Sequence, residues 1–585
     1  MRPRLQTALP QPALYRRHET GDVGVTLASY PPGDRSLSTA LHQPGANTDR
    51  VVRSAGIMSA AVAASRVTGL VREIILARLF GASMAFDAFR LGFQLPNLTR
   101  DLFAEGALSS AFVPLFTEYL HNRGKQEAQR LANLVMTAVL IVIGALCILG
   151  VAFAPQLVDL FASGFSLVPG KRELAIELTR IMFPFLLLVA LAAQSMGILN
   201  ACNQFGVPAL ASTMFNIGSV FFGLLLGTVL GPRIGLSRIE GMAWGVVLGG
   251  ALQYFWQLPS VLRQGFRMRP EIDFNDPGLR QILRMMGPAI LGSAAVQINV
   301  LVNTNFASFI NDPMRGYNGP VSWLGWAFRF MQFPLGMFGV AIASATLPAI
   351  SRSIASGDHE DFRQTVARSI GFVFLLTVPS SIGLVVLGRA MVAAIYQGGQ
   401  FDSYDTQQTA LALSCYAIGL AAYAALKVVT QAFFALRDSR TPMYVSLASI
   451  GINFCVAWGA LHYTSLGHAG LALSTSAVAL FNFTALFWIL RNRIGGIYGR
   501  HLASSIGRMS IASLAMGVAV SALNLLIGAQ FGTGRVASLA TLAVCIPVGV
   551  SVFYFVSRAL RVPELSLASN ALAGPLRRFY TAKSG

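Results

Sequence analysis

Charge is what this chain lacks most clearly. Asp, Glu, Lys and Arg make up 12% of its 585 residues, whereas about 25% is typical of soluble globular domains. Hydrophobic residues make up 54%, and the mean hydropathy is +0.59. So few charges among so many apolar residues predict an integral membrane protein rather than a soluble one.

The sequence signatures of an enzyme are also missing. No Walker loop, HExxH zinc motif or nucleophile motif occurs, and the seven histidines are scattered rather than clustered. We therefore expect neither an enzyme nor an ATP-driven pump, and neither a metal nor a cofactor. The cysteines have no CxxC or metal-ligand spacing and are predicted to be inert packing residues. They are Cys147, Cys202, Cys415, Cys455 and Cys545.

What the chain has instead is a series of apolar segments of about 20 residues, the length that crosses a bilayer as a helix. They predict an all-α polytopic membrane protein with about fourteen transmembrane helices. The segments are 53–80, 86–118, 131–160, 172–200, 207–231, 238–262, 280–310, 320–350, 364–388, 404–436, 441–462, 466–490, 505–529 and 535–560.

Basic residues exceed acidic ones, 44 against 25. Such an excess can indicate nucleic-acid binding, but here the basic residues lie mostly in short loops between apolar segments. If the N-terminus lies in the cytoplasm, the loops on the cytoplasmic side hold more of these basic residues than the loops on the opposite side. The positive-inside rule then predicts that both termini are cytoplasmic, and no nucleic-acid partner is expected.

An internal duplication is visible at an offset of 233 or 234 residues. SAFVP at 110–114 recurs as SATLP at 344–348, GKQEAQR at 124–130 recurs as GDHEDFR at 357–363, and Pro208 pairs with Pro442. We infer two lobes of six helices each, in the same orientation, plus two extra C-terminal helices. The predicted regions are a disordered cytoplasmic tail (1–50), a first lobe (51–264), a second lobe (278–492), the extra helix pair (503–562) and a C-terminal tail (563–585).

Charged residues inside the apolar segments are the strongest functional signal. Each arginine at a helix centre opposes insertion by roughly 2.5–3.5 kcal/mol unless it faces water or a partner. Arginine stays protonated and binds phosphate or carboxylate oxygens in a forked geometry, so these residues predict an anion-binding cavity between two rocking lobes. The candidate residues are Arg66, Arg72 and Glu73 on segment 1, Arg100 on segment 2 and Arg329 on segment 8.

A structural role is the alternative for several of these charges. Arg66 and Glu73 could form a pair within one helix. Asp87 and Arg90, three residues apart, are interpreted as a structural pair near a helix end, and Lys427 is ambiguous. Arg329 has no acidic neighbour on its own helix, so an intrahelical ion pair is excluded and a cavity role is favoured.

Several long motifs carry a family resemblance. Residues 65–73 (SRVTGLVRE), 95–107 (LPNLTRDLFAEGA), 303–308 (NTNFAS), 333–341 (FPLGMFGVA) and 468–474 (HAGLALS) resemble the MurJ (MviN) lipid II flippases. The resemblance runs from about residue 52 to 560. It implies the fold of the multidrug/oligosaccharidyl-lipid/polysaccharide exporter superfamily, with two six-helix lobes and two added helices that line a groove for a polyprenyl tail.

The implied function is to flip lipid II, the polyprenyl-pyrophosphate-linked disaccharide-pentapeptide precursor of peptidoglycan. The transport runs from the inner to the outer leaflet of the bacterial inner membrane, by a monomer. The family's cavity arginines map onto Arg66, Arg72, Arg100 and Arg329, and its acidic cavity or gating residues map onto Glu73, Asp87 and Glu105.

The chain departs from the family pattern at several positions. Glu73 stands where aspartate is common, and Gln94 and Gln332 stand where some members have lysine and glutamate. Some members bind sodium through acidic residues of the second lobe, whereas segment 11 here offers Asn453 and no carboxylate. Sodium coupling is therefore not favoured.

Three other functions remain open at this stage. A flippase for another polyprenyl-pyrophosphate-linked oligosaccharide would share the cavity, and only the specific motifs disfavour it. A drug or metabolite antiporter of the same superfamily would more naturally carry acidic or aromatic groups for cationic drugs. A scaffold or receptor derived from a transporter would relax the charged cavity and append a soluble domain.

Overall fold

A computed structural model of the chain describes residues 44–100, 109–532 and 534–566. Regular structure in these ranges is helical, apart from isolated bridges between Asp312 and Gly316 and between Gly398 and Phe401. The α-helices are α1 Pro44–Phe80, α2 Met84–Arg100, α3 Ser109–Glu118, α4 Lys125–Ala152, α5 Ala154–Phe161, α6 Lys171–Met182, α7 Phe185–Ala201, α8 Gly206–Leu224, α9 Gly231–Ile234, α10 Arg238–Arg263, α11 Pro277–Ser308, α12 Pro320–Pro334, α13 Ala341–Ala355, α14 His359–Tyr396, α15 Ser403–Ala435, α16 Arg440–Tyr463, α17 His468–Arg493, α18 Gly499–Phe531 and α19 Arg535–Ala559.

Short non-α turns continue several of these helices. Wider π-helical turns occur at Tyr119–Arg123, Leu225–Leu230 and Leu335–Val340, and a 3₁₀ turn occurs at Ser163–Leu167. Within the described residues, ten helical stretches are long and apolar enough to cross a membrane. They are Lys125–Ala152, Lys171–Ala201, Gly206–Ile234, Pro320–Ala355, His359–Tyr396, Ser403–Ala435, Arg440–Tyr463, His468–Arg493, His501–Gln530 and Arg535–Ala559.

The remaining four predicted spans are also helical. Segments 53–80, 238–262 and 280–310 correspond to α1, α10 and α11, and segment 86–118 covers α2 and α3 with residues 101–108 outside the described ranges. These helices are less apolar because polar groups interrupt them, such as Arg72 on α1 and Asn299 on α11. The predicted class, an all-α polytopic membrane protein, is confirmed.

Helix starts follow the duplication in the sequence. Helix α8 begins at Gly206 and α16 at Arg440, so Pro208 and Pro442 each stand third in their helix, where a missing N–H costs no helical hydrogen bond. The break between α10 and α11, after Arg263, lies where the first lobe was predicted to end. The lobe boundaries themselves stay a prediction.

Close backbone contact holds α8 against α10. The glycines at 241, 245 and 249 of α10 face Gly227, Gly223 and Ser219, and a Cβ atom at Gly245 would meet both Ser219 O and Gly223 Cα. Two spanning helices gain no hydrophobic stabilisation from each other in lipid, so small residues four apart allow the backbone approach on which their packing depends. This pair forms one wall of the first lobe.

The inner ends of both predicted tails lie within the described part of the chain. Helix α1 begins at Pro44, so residues 44–50 are helical rather than part of a tail. After α19, Glu564 is buried and accepts a hydrogen bond from Ser505 of α18, and Val562 is 3% exposed. The chain just beyond residue 562 therefore packs against the extra helices. Residues 1–43 and 567–585, the rest of the predicted tails, lie outside the described ranges.

Candidate functional site

A cavity of about 1420 Å³ lies between residues of the two predicted lobes. Helices α1, α2, α8 and α10 line it from the first lobe, and α11, α12, α14, α15, α16 and α17 line it from the second. Its charged lining residues, within the described part of the chain, are Arg66, Arg72, Glu73, Arg90, Arg100, Arg329 and Lys427. The prediction that Arg66, Arg72 and Arg329 share one cavity is confirmed.

A cluster of three charges joins the two lobes inside this cavity. Glu73 Oε1 lies 3.0 Å from Arg72 Nη2 of its own helix and 3.0 Å from Arg329 Nη2 of α12. Glu73 and Arg72 are 5% and 8% exposed, whereas the side chain of Arg329 is 42% exposed. One carboxylate thus serves two guanidinium groups, and Arg329 keeps a face open to the cavity.

Two aromatic rings position Arg72. Its Cζ atom lies 5.7 Å from the ring centre of Phe93 and 5.2 Å from that of Phe215, which is cation–π distance. The Nε atom of Arg72 is buried and has no hydrogen-bond partner among the described residues. Stacking and the ion pair with Glu73 together offset part of the desolvation of this charge.

Arg66 and Arg90 are held differently, each against a glycine of the second lobe. A Cβ atom at Gly325 of α12 would overlap the guanidinium of Arg90, and a Cβ atom at Gly336 would lie 3.3 Å from Arg66 Nη2. Neither arginine makes a hydrogen bond or ion pair with a residue that the structure describes. Both guanidinium groups therefore keep their hydrogen-bond donors available to an anion in the cavity.

The sequence interpretation missed Arg90 by pairing it with Asp87. The structure shows that this pairing is wrong. A signal was available, since Arg90, Gln94 and Asn97 stand four and three residues apart on α2 and so share one helix face. All three line the cavity, and Gln94 Nε2 donates to Thr304 Oγ1 of α11 at 2.9 Å.

Asp87 does not line the cavity. It is fully buried at the point where α2 meets the start of α12, and its Oδ2 atom lies 2.9 Å from Lys171 Nζ. It also accepts from the backbone N–H groups of Gly319 (2.8 Å) and Ser322 (3.1 Å) and from the Ser322 hydroxyl. The N-cap residue of α12 is a glycine without a capping side chain, so Asp87 of the first lobe caps a helix of the second.

A second contact joins the lobes at the same end of the bundle. Ala82, in the turn between α1 and α2, donates its N–H to Asp405 Oδ2 at 3.2 Å, and Trp323 Nε1 donates to Asp405 Oδ1 at 3.0 Å. Gly81 has φ +53°, and a Cβ atom there would overlap the carbonyl oxygen of Gln400. We call the contacts of Asp87, Lys171, Ser322, Ala82 and Asp405 the interlobe junction.

The remaining predicted residues are placed as follows. Arg100, the last residue of α2, lines the cavity, whereas Glu105 lies outside the described residues. Asn453 of α16 is buried among neutral partners: Ser474 Oγ donates to its Oδ1 at 2.9 Å, and its Nδ2 donates to Asn299 O at 3.3 Å. Among the residues searched, no group of three His, Cys, Asp or Glu is close enough to hold a metal ion.

The charges of the cavity determine what it can bind. Six cationic side chains and one carboxylate face it within the described part of the chain. Five of the six cations are arginines, which match phosphate and carboxylate oxygens in geometry and remain protonated. The cavity therefore suits a polyanion, and it would repel a cationic drug.

Known proteins match the chain over most of its length. The family model described as "Lipid II flippase MurJ" matches residues 76–541. A "Probable lipid II flippase MurJ" of Buchnera aphidicola subsp. Schizaphis graminum is 32% identical over 75% of this chain and 82% of its own length. A "Lipid II flippase MurJ" of Burkholderia cenocepacia is 33% identical over 74% and 82%, respectively.

A solved structure agrees with these relatives. It is titled "Lipid II flippase MurJ, inward closed conformation" and superposes with a TM-score of 0.69 at 26% identity, covering 86% of this chain and 99% of that one. The family match extends over well more than half of the chain, and it includes Arg329 and the residues of the interlobe junction, whereas Arg72 and Glu73 lie a few residues before it begins. The chain therefore belongs to the MurJ family of lipid II flippases.

Proposed function

We propose that this protein, a multi-pass inner-membrane transporter, flips lipid II from the inner to the outer leaflet. The observation that carries the proposal is the joint placement of Arg72 and Arg329, from two lobes, on one carboxylate inside a cationic cavity. Lipid II has a pyrophosphate between a large polar head and a long apolar tail. A water-filled cationic cavity suits the pyrophosphate and the polar head, and the lipid bilayer suits the apolar tail.

The polyprenyl tail need not enter the cavity. It can stay in the bilayer while the head group crosses, because moving a long apolar chain through water would be very unfavourable. The extra helices expose large apolar side chains, among them Val518 (71%), Leu525 (73%) and Phe555 (66%), which suit contact with lipid chains. These exposed faces support the expected tail groove along α18 and α19.

The interlobe junction supports an alternating-access cycle. With both termini in the cytoplasm, as the loop charges favour, the turn between α1 and α2 is periplasmic, and so is the junction. The head group would then load from the cytoplasmic side while the junction keeps the periplasmic side closed. Breaking the junction and rejoining the lobes at the opposite end would expose the head group to the periplasm.

We further propose that the protein works as a monomer, without nucleic acid, cofactor or sodium. The second-lobe position that raised the question of sodium holds Asn453, whose amide is already engaged by Ser474 and Asn299. A carboxylate would be the usual hard-cation ligand there. Equal transport rates in sodium and potassium buffers are expected, and a rate that requires sodium would contradict this part of the proposal.

Complementation tests the substrate directly. Expression of this protein in a bacterium whose own lipid II flippase is conditionally depleted should restore growth and normal lipid II levels. Arg329→Ala should fail at an equal amount of protein in the membrane. Failure of the wild type, or rescue only of a strain that lacks a flippase for another polyprenyl-linked glycan, would overturn the proposal.

A further inference from the structure

Arg90 is a charged residue of the cavity for which the sequence predicted no role there. It lies on α2, faces the cavity, and places its guanidinium where a Cβ atom at Gly325 would stand. Arg72 and Arg329 share the carboxylate of Glu73, whereas Arg90 lies beyond ion-pair distance of Glu73 and makes no hydrogen bond with a described residue. An arginine placed so far inside the bundle is costly unless water or a ligand compensates it.

The position of Arg90 separates it from Arg66, the other unpartnered cavity arginine. They contact Gly325 and Gly336, eleven residues apart along the second-lobe helix that begins at Pro320. At a rise of 1.5 Å per residue the two contact points are about 16 Å apart. A pyrophosphate is far shorter than that distance. Arg66 and Arg90 therefore cannot grip the same pyrophosphate, and the cavity offers anion contacts at two levels.

The two levels face different parts of an elongated ligand. Arg90 lies one helical turn from Asp87, beside the interlobe junction and therefore at the joined end of the bundle. The ligand's tail stays in the bilayer and tethers the pyrophosphate near the end by which the head group enters. What reaches the joined end is the far part of the head group, where the only anionic groups are carboxylates of the peptide.

We propose that Arg90, seated on Gly325, is a second anion-binding subsite that receives a carboxylate of the stem peptide. This inference rests on the proposed function, since it names a contact within the lipid II head group. Tyr396 and Tyr416 line the same cavity and carry hydroxyl groups suited to a peptide. The subsite would let the protein distinguish a complete head group from a polyprenyl pyrophosphate without peptide.

Binding to the full-length protein in phosphatidylcholine nanodiscs tests the subsite with three ligands. These are lipid II, lipid II whose peptide carboxylates are converted to amides, and undecaprenyl pyrophosphate. Wild type should prefer lipid II over the amidated form by about tenfold or more, the usual effect of one charge-assisted hydrogen bond. Arg90→Gln should remove this preference and leave the affinity for undecaprenyl pyrophosphate unchanged. Arg90→Lys should keep part of the preference.

Gly325→Ala tests the contact between Arg90 and Gly325 rather than the charge of Arg90. Its Cβ atom would displace the guanidinium of Arg90, so the preference for free carboxylates should fall as it does in Arg90→Gln. Gly383→Ala on α14 is the matched control, because a Cβ atom there meets nothing within 4 Å and Gly383 does not line the cavity. It should bind all three ligands as wild type does.

The outcomes separate this inference from the proposed function. Equal binding of lipid II and its amidated form by wild type overturns the subsite, whether or not the variants fold. The same follows if Arg90→Gln weakens both forms equally. If instead wild type binds none of the three ligands better than it binds phosphatidylglycerol, the proposed function fails as well.

Discussion

Glu73 of the first lobe and Arg329 of the second lie 3.0 Å apart, and the same carboxylate oxygen lies 3.0 Å from Arg72. This arrangement couples the contact between the lobes to the binding of an anion in the cavity. An anion that binds Arg329 and Arg72 competes with Glu73 for their hydrogen bonds. Binding of the cargo would therefore loosen the ion pair by which Arg329 contacts the opposite lobe.

Replacement of Glu73 tests that coupling. Glu73→Gln leaves two guanidinium groups facing a neutral amide, and we expect it to destabilise the joined lobes by about 1.5–3 kcal/mol, the usual range for a hydrogen bond to a charged group. Glu73→Asp keeps the charge and should retain most of the stability and activity. Thermal unfolding and complementation check both variants. A Glu73→Gln protein as stable and active as Glu73→Asp would exclude a role for the shared carboxylate.

Arg72 should not tolerate lysine. The stacking on Phe93 and Phe215 and the forked geometry are both lost in Arg72→Lys, although the charge remains. We expect a fall in lipid II translocation of about tenfold or more, so that Arg72→Lys resembles Arg72→Ala. Arg123→Lys is the control, since Arg123 also stacks on a ring, that of Tyr119 at 4.2 Å, but lies outside the cavity. Wild-type rates in Arg72→Lys would mean that charge alone suffices.

The pair of Asp87 and Lys171 should be the most sensitive part of the interlobe junction. Both side chains are fully buried, so removing one partner leaves an uncompensated charge, and Asp87→Asn or Lys171→Met should cost about 3–5 kcal/mol. The double variant should recover part of that loss. Asp159→Asn provides the matched control, because its ion pair with Arg172 is exposed and should contribute less than about 1 kcal/mol. Unfolding midpoints that rank the two sites in the opposite order would contradict a junction held by this pair.

Asp438, in the loop between α15 and α16, predicts a dependence on pH. Hydrogen bonds from the N–H and hydroxyl of Thr441 and the contact with Arg493 lower the pKa of this carboxyl to about 2. Its stabilising effect is therefore complete above the ordinary carboxyl pKa of about 3.9 and is lost as the pH falls towards 2. The difference in thermal midpoint between wild type and Asp438→Asn should be constant from pH 7 to 5 and shrink below pH 4. A difference that grows on acidification would refute this assignment.

The sequence predicted the helices well, because apolar length and loop charge determine which segments cross a membrane. It also placed Arg66, Arg72, Arg100 and Arg329 at one cavity, since an intramembrane arginine has few alternatives. Short-range spacing misled the interpretation at Asp87, where the neighbour at i+3 suggested Arg90 as its partner. The true partner, Lys171, lies 84 residues away, just before the apolar segment predicted at 172–200.

Contacts between the lobes lay beyond sequence reasoning for a physical reason. Asp87 caps a helix whose N-cap residue stands 232 residues later, and Gly325 and Gly336 matter only because arginines from the other lobe lie against them. Such pairings depend on how two lobes meet, which no local pattern encodes. The helix face shared by Arg90, Gln94 and Asn97 was the local sign that the middle of α2, and not only its ends, lines the cavity.

Translocation by the purified protein tests the central claim most directly. Lipid II placed in one leaflet of sealed vesicles should become accessible to a peptide-directed reagent on the other side only when wild-type protein is present. Arg329→Gln should slow its appearance by at least about tenfold at equal reconstitution, because the second-lobe contact with the anion is lost. If Arg329→Gln moved lipid II as fast as wild type, or if wild type moved ordinary phospholipid equally well, the account of a cationic cavity that carries the lipid II head group would be contradicted.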